Sequence, residues 1–239
     1  MVNVLRPKTQ LNYKDFTIHQ RAADIKLMSS ISKFLHEGNI TTMANMKDMY
    51  RIIALLEYIL SRYDETHLVF DTYRENSLKS LMRKKRTGKT QPVQFKINDS
   101  TYIGNTSMKL LLSHTKTKDE LTAYLSEKAV QYAIERNKCL FVSWRETAKC
   151  SRAYSIDELK SNHEEADTKI ILHSIFASRR GATQLHIYSP DTDVFVLALW
   201  WSKFFPLDTM FVTGIGQNQR MINLKNITNS LGEKKLQHC

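Results

Sequence analysis

Glycine and proline are scarce in this chain, at 7 and 4 of 239 residues. So few breakers do not suit long flexible linkers. Cysteine is rarer still, at 3. Cys139, Cys150 and Cys239 are odd in number, widely spaced and form no CxxC pair. They build no disulfide framework and no thiolate metal knuckle. That usage points to a reducing compartment, nucleus or cytoplasm. Long apolar runs are also missing. The longest, Val194 to Trp201, falls far short of the ~20 residues of a membrane span. The opening stretch Met1 to Lys8 lacks the apolar core of a signal peptide. No membrane partner is expected. Internal repeats and low-complexity tracts are absent too.

What is present suits a packed globular chain. Hydrophobic residues make up 42% and charged residues 25%, enough for a sizeable core in one generous domain or two small ones. The formal net charge is +11. A balance this basic favours polyanionic partners, nucleic acid first among them. The densest positive stretch runs from Arg74 to Lys89 and holds Lys79, Arg83, Lys84, Lys85 and Arg86. Leu78, Leu81 and Met82 share one side of a helical wheel there. The plainer reading is a solvated basic helix end. The functional readings are a nucleic-acid contact or a nuclear import signal. Gly88-Lys89-Thr90 does not close a phosphate-binding loop, because Arg83 stands where its first glycine is needed.

Residues 1–20 show no periodicity and read as an N-terminal arm. The spacing predicts helices over 22–35 and 46–63 and a short strand over Thr66 to Phe70 that ends in Asp71. A short apolar helix over 108–113 and a clearer one over Lys118 to Arg136 precede a strand at Cys139 to Ser143. Ile156 to Leu159 reads as a short turn or helix. The next helix starts near Glu165 and stops at Gly181, with Ser161 or Asn162 as its expected cap. A strand at Leu185 to Tyr188, a helix over Val194 to Trp201 and a last strand at Met210 to Thr213 follow. Strands alternating with helices predict an α/β fold with a central, mostly parallel sheet flanked by helices. The domain is expected over 21–217, with 218–239 as a C-terminal tail.

Two acidic motifs stand about 25 residues apart: His163-Glu164-Glu165-Ala166-Asp167 and Ser189-Pro190-Asp191-Thr192-Asp193. The first opens a helix and the second ends a strand. In open α/β sheets, sites gather at the C-terminal strand ends. Asp71 belongs at the same edge. Carboxylates brought together repel one another unless a cation neutralises them. Mg²⁺ and Mn²⁺ take such oxygen ligands, and a pair of them serves phosphodiester cleavage. Asp71, Glu165, Asp167, Asp191 and Asp193 are therefore the candidate metal ligands and catalytic acids. The plainer reading is that the acids at 164, 165 and 167 complement a helix dipole.

Other chemistries fit less well. Asp191-Thr192-Asp193-Val194 resembles the phosphoryl-aspartate motif of haloacid-dehalogenase-type phosphatases, but too little chain follows it. A sugar-nucleotide transferase would leave the basic stretch without a role. His163-Glu164 lacks a second histidine at the zinc-protease spacing, and no G-x-S-x-G marks a serine hydrolase. His163, His173 and His186 read as surface or hydrogen-bonded core residues.

Val69-Phe70-Asp71 with the basic run after it is similar to a segment of the flap-endonuclease/XPG branch of PIN-like nucleases. Glu165-Ala166-Asp167 resembles that family's E-A-E motif, and Asp191-Thr192-Asp193 its following D-x-D. The order agrees over roughly residues 22–216. The joint pattern also resembles a group of animal proteins carrying EEADT…SPDTDV, often found in genomes rich in mobile elements. The resemblance implies a PIN-like, three-layer domain with a Mg²⁺- or Mn²⁺-dependent nuclease site that cuts DNA or RNA. It implies metal ligands at Asp71, Glu165, Asp167, Asp191 and Asp193, joined by Asp24 after a first strand. It implies phosphate contacts from Lys84, Lys85 and Arg86. Two departures are visible. Arg21-Ala22-Ala23 before Asp24 is a poor strand, and Thr213 to Gly216 holds no acid. The alternative is a catalytically inactive PIN-like domain that binds nucleic acid or a protein.

Overall fold

The computed structural model describes residues 15–19, 60–73, 93–99, 101, 113–214 and 219–231, the first of these as backbone alone. Their strands are β1 (Asp15–His19), β2 (Glu65–Val69), β3 (Cys139–Trp144), β4 (Thr147–Cys150), β5 (Gln184–Tyr188), β6 (Asp208–Thr213) and β7 (Arg220–Asn223). Their helices are α1 (Thr115–Glu135), α2 (Ala166–Arg179), α3 (Thr192–Trp201) and α4 (Leu224–Leu231). Short 3₁₀ turns cover Asp157–Leu159 and Ser202–Phe204.

The fold is α/β, as the alternation of strand and helix implies. Among the described residues the strands form one mixed sheet in the order β4-β3-β2-β1-β5-β6-β7. β1 pairs in parallel with β2 and with β5, β2 with β3, and β5 with β6. The two edge strands β4 and β7 pair antiparallel with β3 and β6. From β1 the chain steps outward through β2 to β3. It then returns to the other side of β1 to lay down β5 and β6. Strand order thus reverses between β1 and β5, the kind of crevice where open α/β sheets take ligands.

Period-two alternation sorts the inner strands onto two faces. Leu68 and Phe70, with Leu140, Val142 and Trp144, pack against Leu121, Leu125, Ala129 and Ala133 of α1. Those helical positions recur every four residues and form one stripe. Val69, Leu185, Ile187 and Phe211 point the other way. They meet Ala166, Ile170 and Ala177 of α2, with Val194, Ala198 and Leu199 of α3. Every residue of β2, β3 and β5 is buried. β3 reads as the near-continuous apolar run expected of a strand covered on both faces, whereas β2 and β5 also bury Glu65, Thr66, His67, Gln184 and His186.

Three expectations are corrected. The arm over 1–20 is not wholly an arm, since Asp15–His19 is the middle strand of the sheet. Five residues bounded by Asp15 and His19 are too short to display a period. The tail over 218–239 begins inside the fold, because β7 pairs with β6 and Leu224 of α4 is buried in the core. Met210 to Thr213 is therefore not the last strand. β4 also went unseen, since Thr147-Ala148-Lys149-Cys150 buries only Ala148. The expected helix over 22–35, and nearly all of those over 46–63 and 108–113, lie outside the described residues.

Candidate functional site

Asp71 follows β2 by two residues and is buried. Its Oδ1 accepts a hydrogen bond from the backbone N–H of Ala166 at 2.8 Å. The N–H of Thr72 donates to the carbonyl of Glu164 at 2.9 Å. Together these bonds seat the start of α2 on the end of β2. Glu165 occupies the N-cap position of α2 but makes no side-chain capping bond. The cap is thus supplied by Asp71, 95 residues away in sequence, and not by Ser161 or Asn162 as the local pattern predicts. A carboxylate here satisfies an otherwise unbonded helix N–H and complements the helix dipole.

Asp191 repeats the logic within one segment. It is the N-cap of α3, and its Oδ1 accepts from the N–H of Asp193 at 3.0 Å. Ser189 Oγ accepts from the N–H of Asp191 at 2.9 Å. Asp193 lies exposed in the first turn of α3, so the D-x-D motif straddles a helix start and does not extend the strand. Asp167 sits in the first turn of α2, and Glu165 is exposed.

All five carboxylates lie along the C-terminal edge of the parallel strands. Asp71 is brought to the segment carrying Glu165 and Asp167, and Asp191 to Asp193. The two groups are held apart by β1, which lies between β2 and β5. At the usual strand spacing, β2 and β5 stand roughly 10 Å apart. Among the described residues no three His, Cys, Asp or Glu side chains group closely enough to hold a metal ion. Their oxygens have the hard character that Mg²⁺ and Mn²⁺ prefer, but the described residues alone do not close such a site. Asp24 and the basic stretch with Lys79, Arg83, Lys84, Lys85 and Arg86 lie outside the described residues.

Behind this edge the core holds polar groups that sequence reasoning passed over. Lys169 is 1% exposed. Its ammonium donates to Thr72 Oγ1 at 2.7 Å and to the carbonyl of Arg145. Thr72 Oγ1 in turn donates to that carbonyl at 2.8 Å. One buried cation thus ties α2, the segment after β2 and the β3–β4 turn together beside Asp71. Its sequence signal was a lysine between Ala166 and Ile170, on the helix face that packs inward.

A second chain of bonds crosses the sheet. Ser143 Oγ lies 2.6 Å from His173 Nε2, His173 Nδ1 lies 2.8 Å from His67 Nδ1, and His67 Nε2 lies 2.9 Å from Glu65 Oε1. The carboxylate at one end and the burial of both rings together set the protons. A Glu65 carboxylate only accepts, so His67 carries its proton on Nε2. With His67 neutral, as burial favours, its Nδ1 is an acceptor, His173 donates from Nδ1, and Ser143 donates to His173 Nε2. Both imidazoles are neutral in this arrangement. Burial holds both below the ordinary histidine pKa. For His67, the hydrogen bond to Glu65 opposes that shift. For His173, the Lys169 charge beside it adds to the lowering, as would a proton on His67. His173 is thus a hydrogen-bonded core residue and His163 is exposed, while His186 is buried with Nδ1 bonded to the hydroxyl of Tyr63.

No protein-family model matches this chain, and comparison with curated proteins and with solved structures finds no match either. Among the described residues no helix is long and apolar enough to cross a membrane.

Proposed function

We propose that this chain is a PIN-like domain of the flap-endonuclease/XPG type, three-layered around a largely parallel sheet, that cleaves phosphodiester bonds in DNA or RNA with Mg²⁺ or Mn²⁺. One observation carries the reading. Asp71, Glu165, Asp167, Asp191 and Asp193 come from three separate segments. They lie at one sheet edge, on either side of the point where strand order reverses. Strand β1, ahead of Asp24 in the chain, lies at the centre of the sheet, as this reading expects of a first strand.

In this reading Asp71, Glu165, Asp167, Asp191 and Asp193, completed by Asp24, hold the cation. A bound divalent ion supplies Lewis acidity for hydrolysis. The chain's own residues orient the site. Asp71 and Asp191 are fixed by helix N–H groups, and Lys169 braces the segment after β2. Lys79, Arg83, Lys84, Lys85 and Arg86 hold backbone phosphates, which makes binding steeply salt-dependent. The site of action is nuclear or cytoplasmic.

A specific observation favours a second reading. Asp71 Oδ1 and Asp191 Oδ1 are already engaged as helix caps. Both residues would persist for folding alone in a catalytically silent domain that binds nucleic acid or a protein. The test compares the wild type with Asp191→Asn on single-stranded, flap and duplex substrates in Mn²⁺. Asparagine still accepts from the Asp193 N–H, so the variant folds. Cleavage by the wild type, lost in the variant, supports the nuclease. No cleavage of any substrate by a folded wild type refutes it, and salt-sensitive binding would then support the silent reading.

A further inference from the structure

Cys139 opens β3 and Cys150 closes β4, and both thiols are free. In the β3–β4 ladder Phe141 stands opposite Cys150. Cys139 is two residues from Phe141, so the two cysteines are diagonal neighbours on one face of the hairpin. Both contribute to one small core with Phe141, Ala148, Leu159 and Phe176. Each thiol shifts the acidity of the other. Diagonal Cα atoms are typically ~7–8 Å apart with Cβ atoms closer, against at most about 6.8 Å across a disulfide. Joining the sulfurs therefore asks for a shift of about an ångström. Cys150 is well placed to make it, because β4 ends there and residues 151–156 form no regular element.

The two thiols differ in ways that assign them separate roles. Cys139 is buried at 4% exposure, and its Sγ donates to Glu65 Oε2 at 3.7 Å. Cys150 is partly exposed. Its Sγ accepts from the N–H of Arg152 at 3.4 Å. The guanidinium of Arg180 lies 3.9 Å over the Tyr154 ring and 5.4 Å from the Phe141 ring, on the same side of the sheet. The neighbouring Cys139 draws the Cys150 thiol below the ordinary range, against the opposing effect of burial. The Arg152 N–H and the Arg180 charge add to the lowering. The neighbouring Cys150 and burial push the Cys139 thiol up. A thiolate is the reactive form, and a neighbouring protonated thiol can resolve its oxidation product.

We propose that Cys139 and Cys150 form a peroxide-reactive dithiol site, in which Cys150 is oxidised first and Cys139 closes an intramolecular disulfide. The oxidant is a hydroperoxide such as hydrogen peroxide. The Cys150 thiolate attacks one peroxide oxygen, the O–O bond breaks, and the departing hydroxide takes up a proton as water. Cys150 is then a sulfenic acid. The Cys139 sulfur attacks the Cys150 sulfur, the S–O bond breaks, and a second water leaves with the Cys139 proton. Two electrons pass from the two sulfurs to the peroxide.

The test uses the full chain carrying Cys239→Ser, treated with hydrogen peroxide and analysed by intact mass and non-reducing peptide mapping. The expected product has lost two hydrogens, carries a 139–150 cross-link and is restored by dithiothreitol. With Cys139→Ser added, dimedone should label Cys150. With Cys150→Ser added, Cys139 should react at least about tenfold more slowly than the wild-type pair, as expected from its lower thiolate fraction. The same wild-type chain unfolded in urea should lose the rate advantage of Cys150. Persistence of both thiols under conditions that oxidise free cysteine would overturn the proposal. So would first oxidation at Cys139, or equal rates in the folded and unfolded chain. The wild-type measurement needs no substitution at either cysteine, so a misfolded variant cannot mask the outcome.

Discussion

Replacing Asp71 separates its structural role from any chemical one. Oδ1 of Asp71 receives the N–H of Ala166, and Ala166 is fully buried. Asp71→Ala leaves that donor without its acceptor in a place water does not reach. A stranded buried donor costs about 1–3 kcal/mol, in line with the loss of a strong helix cap. For a chain of this size each kcal/mol lowers Tm by roughly 3 °C, so the expected drop is about 3–9 °C. Asp71→Asn keeps a carbonyl oxygen where Oδ1 stands. It loses only the charge at the helix N-terminus, worth about 0.3–1 kcal/mol. Urea denaturation followed by circular dichroism should therefore rank wild type, Asp71→Asn and Asp71→Ala in that order, with the larger gap between the last two. Equal destabilisation by Asn and Ala, or an alanine variant as stable as wild type, would refute the capping argument.

Three further outcomes are expected. Asp191→Ala should cost about 1 kcal/mol by removing a local N-cap, while Asp191→Asn should stay within a few tenths, as read from thermal melts; the reverse order would contradict the bond to Asp193. Acidification should destabilise the fold through His67 and His173. Burial holds both below the ordinary value of 6.5, so the unfolded chain binds the extra protons and stability is lost as pH falls beneath about 6.5. The slope is at most about 1.4 kcal/mol per pH unit for each histidine. Urea midpoints that stay flat or rise between pH 7.5 and 5.5 would count against it. Phe141→Ala should cost about 3–5 kcal/mol, since this fully buried ring stacks on His67 and Tyr154 and lies beneath the Arg180 guanidinium; a loss under 1 kcal/mol would show that the cluster relaxes freely.

The acidic motifs were legible because each sits at a boundary with its own local signature. Asp191 follows the buried run Leu185 to Tyr188, and Glu165 precedes the periodic run that ends near Gly181. Their purpose at those boundaries was not legible. A carboxylate that caps a helix and one that holds a cation look alike in sequence, since both favour the first turn. Lys169 and His67 escaped notice, and His173 could be read only as a surface or hydrogen-bonded core residue, for a related reason. A polar residue inside an apolar pattern reads as a surface position until its partner is known. The partners here are Thr72, 97 residues from Lys169, and His173, 106 residues from His67.

The sequence by itself determined the alternation of strands and helices and the C-terminal edge on which the acids lie. Both follow from hydrophobic period and breaker residues, which act over a few positions. Tertiary structure alone decided that Asp15–His19 lies between β2 and β5, and that Asp71 caps α2. It also decided that the two acidic groups stand on either side of β1. Pairing between distant segments depends on which partners bury each other's backbone groups, and no local pattern records that choice.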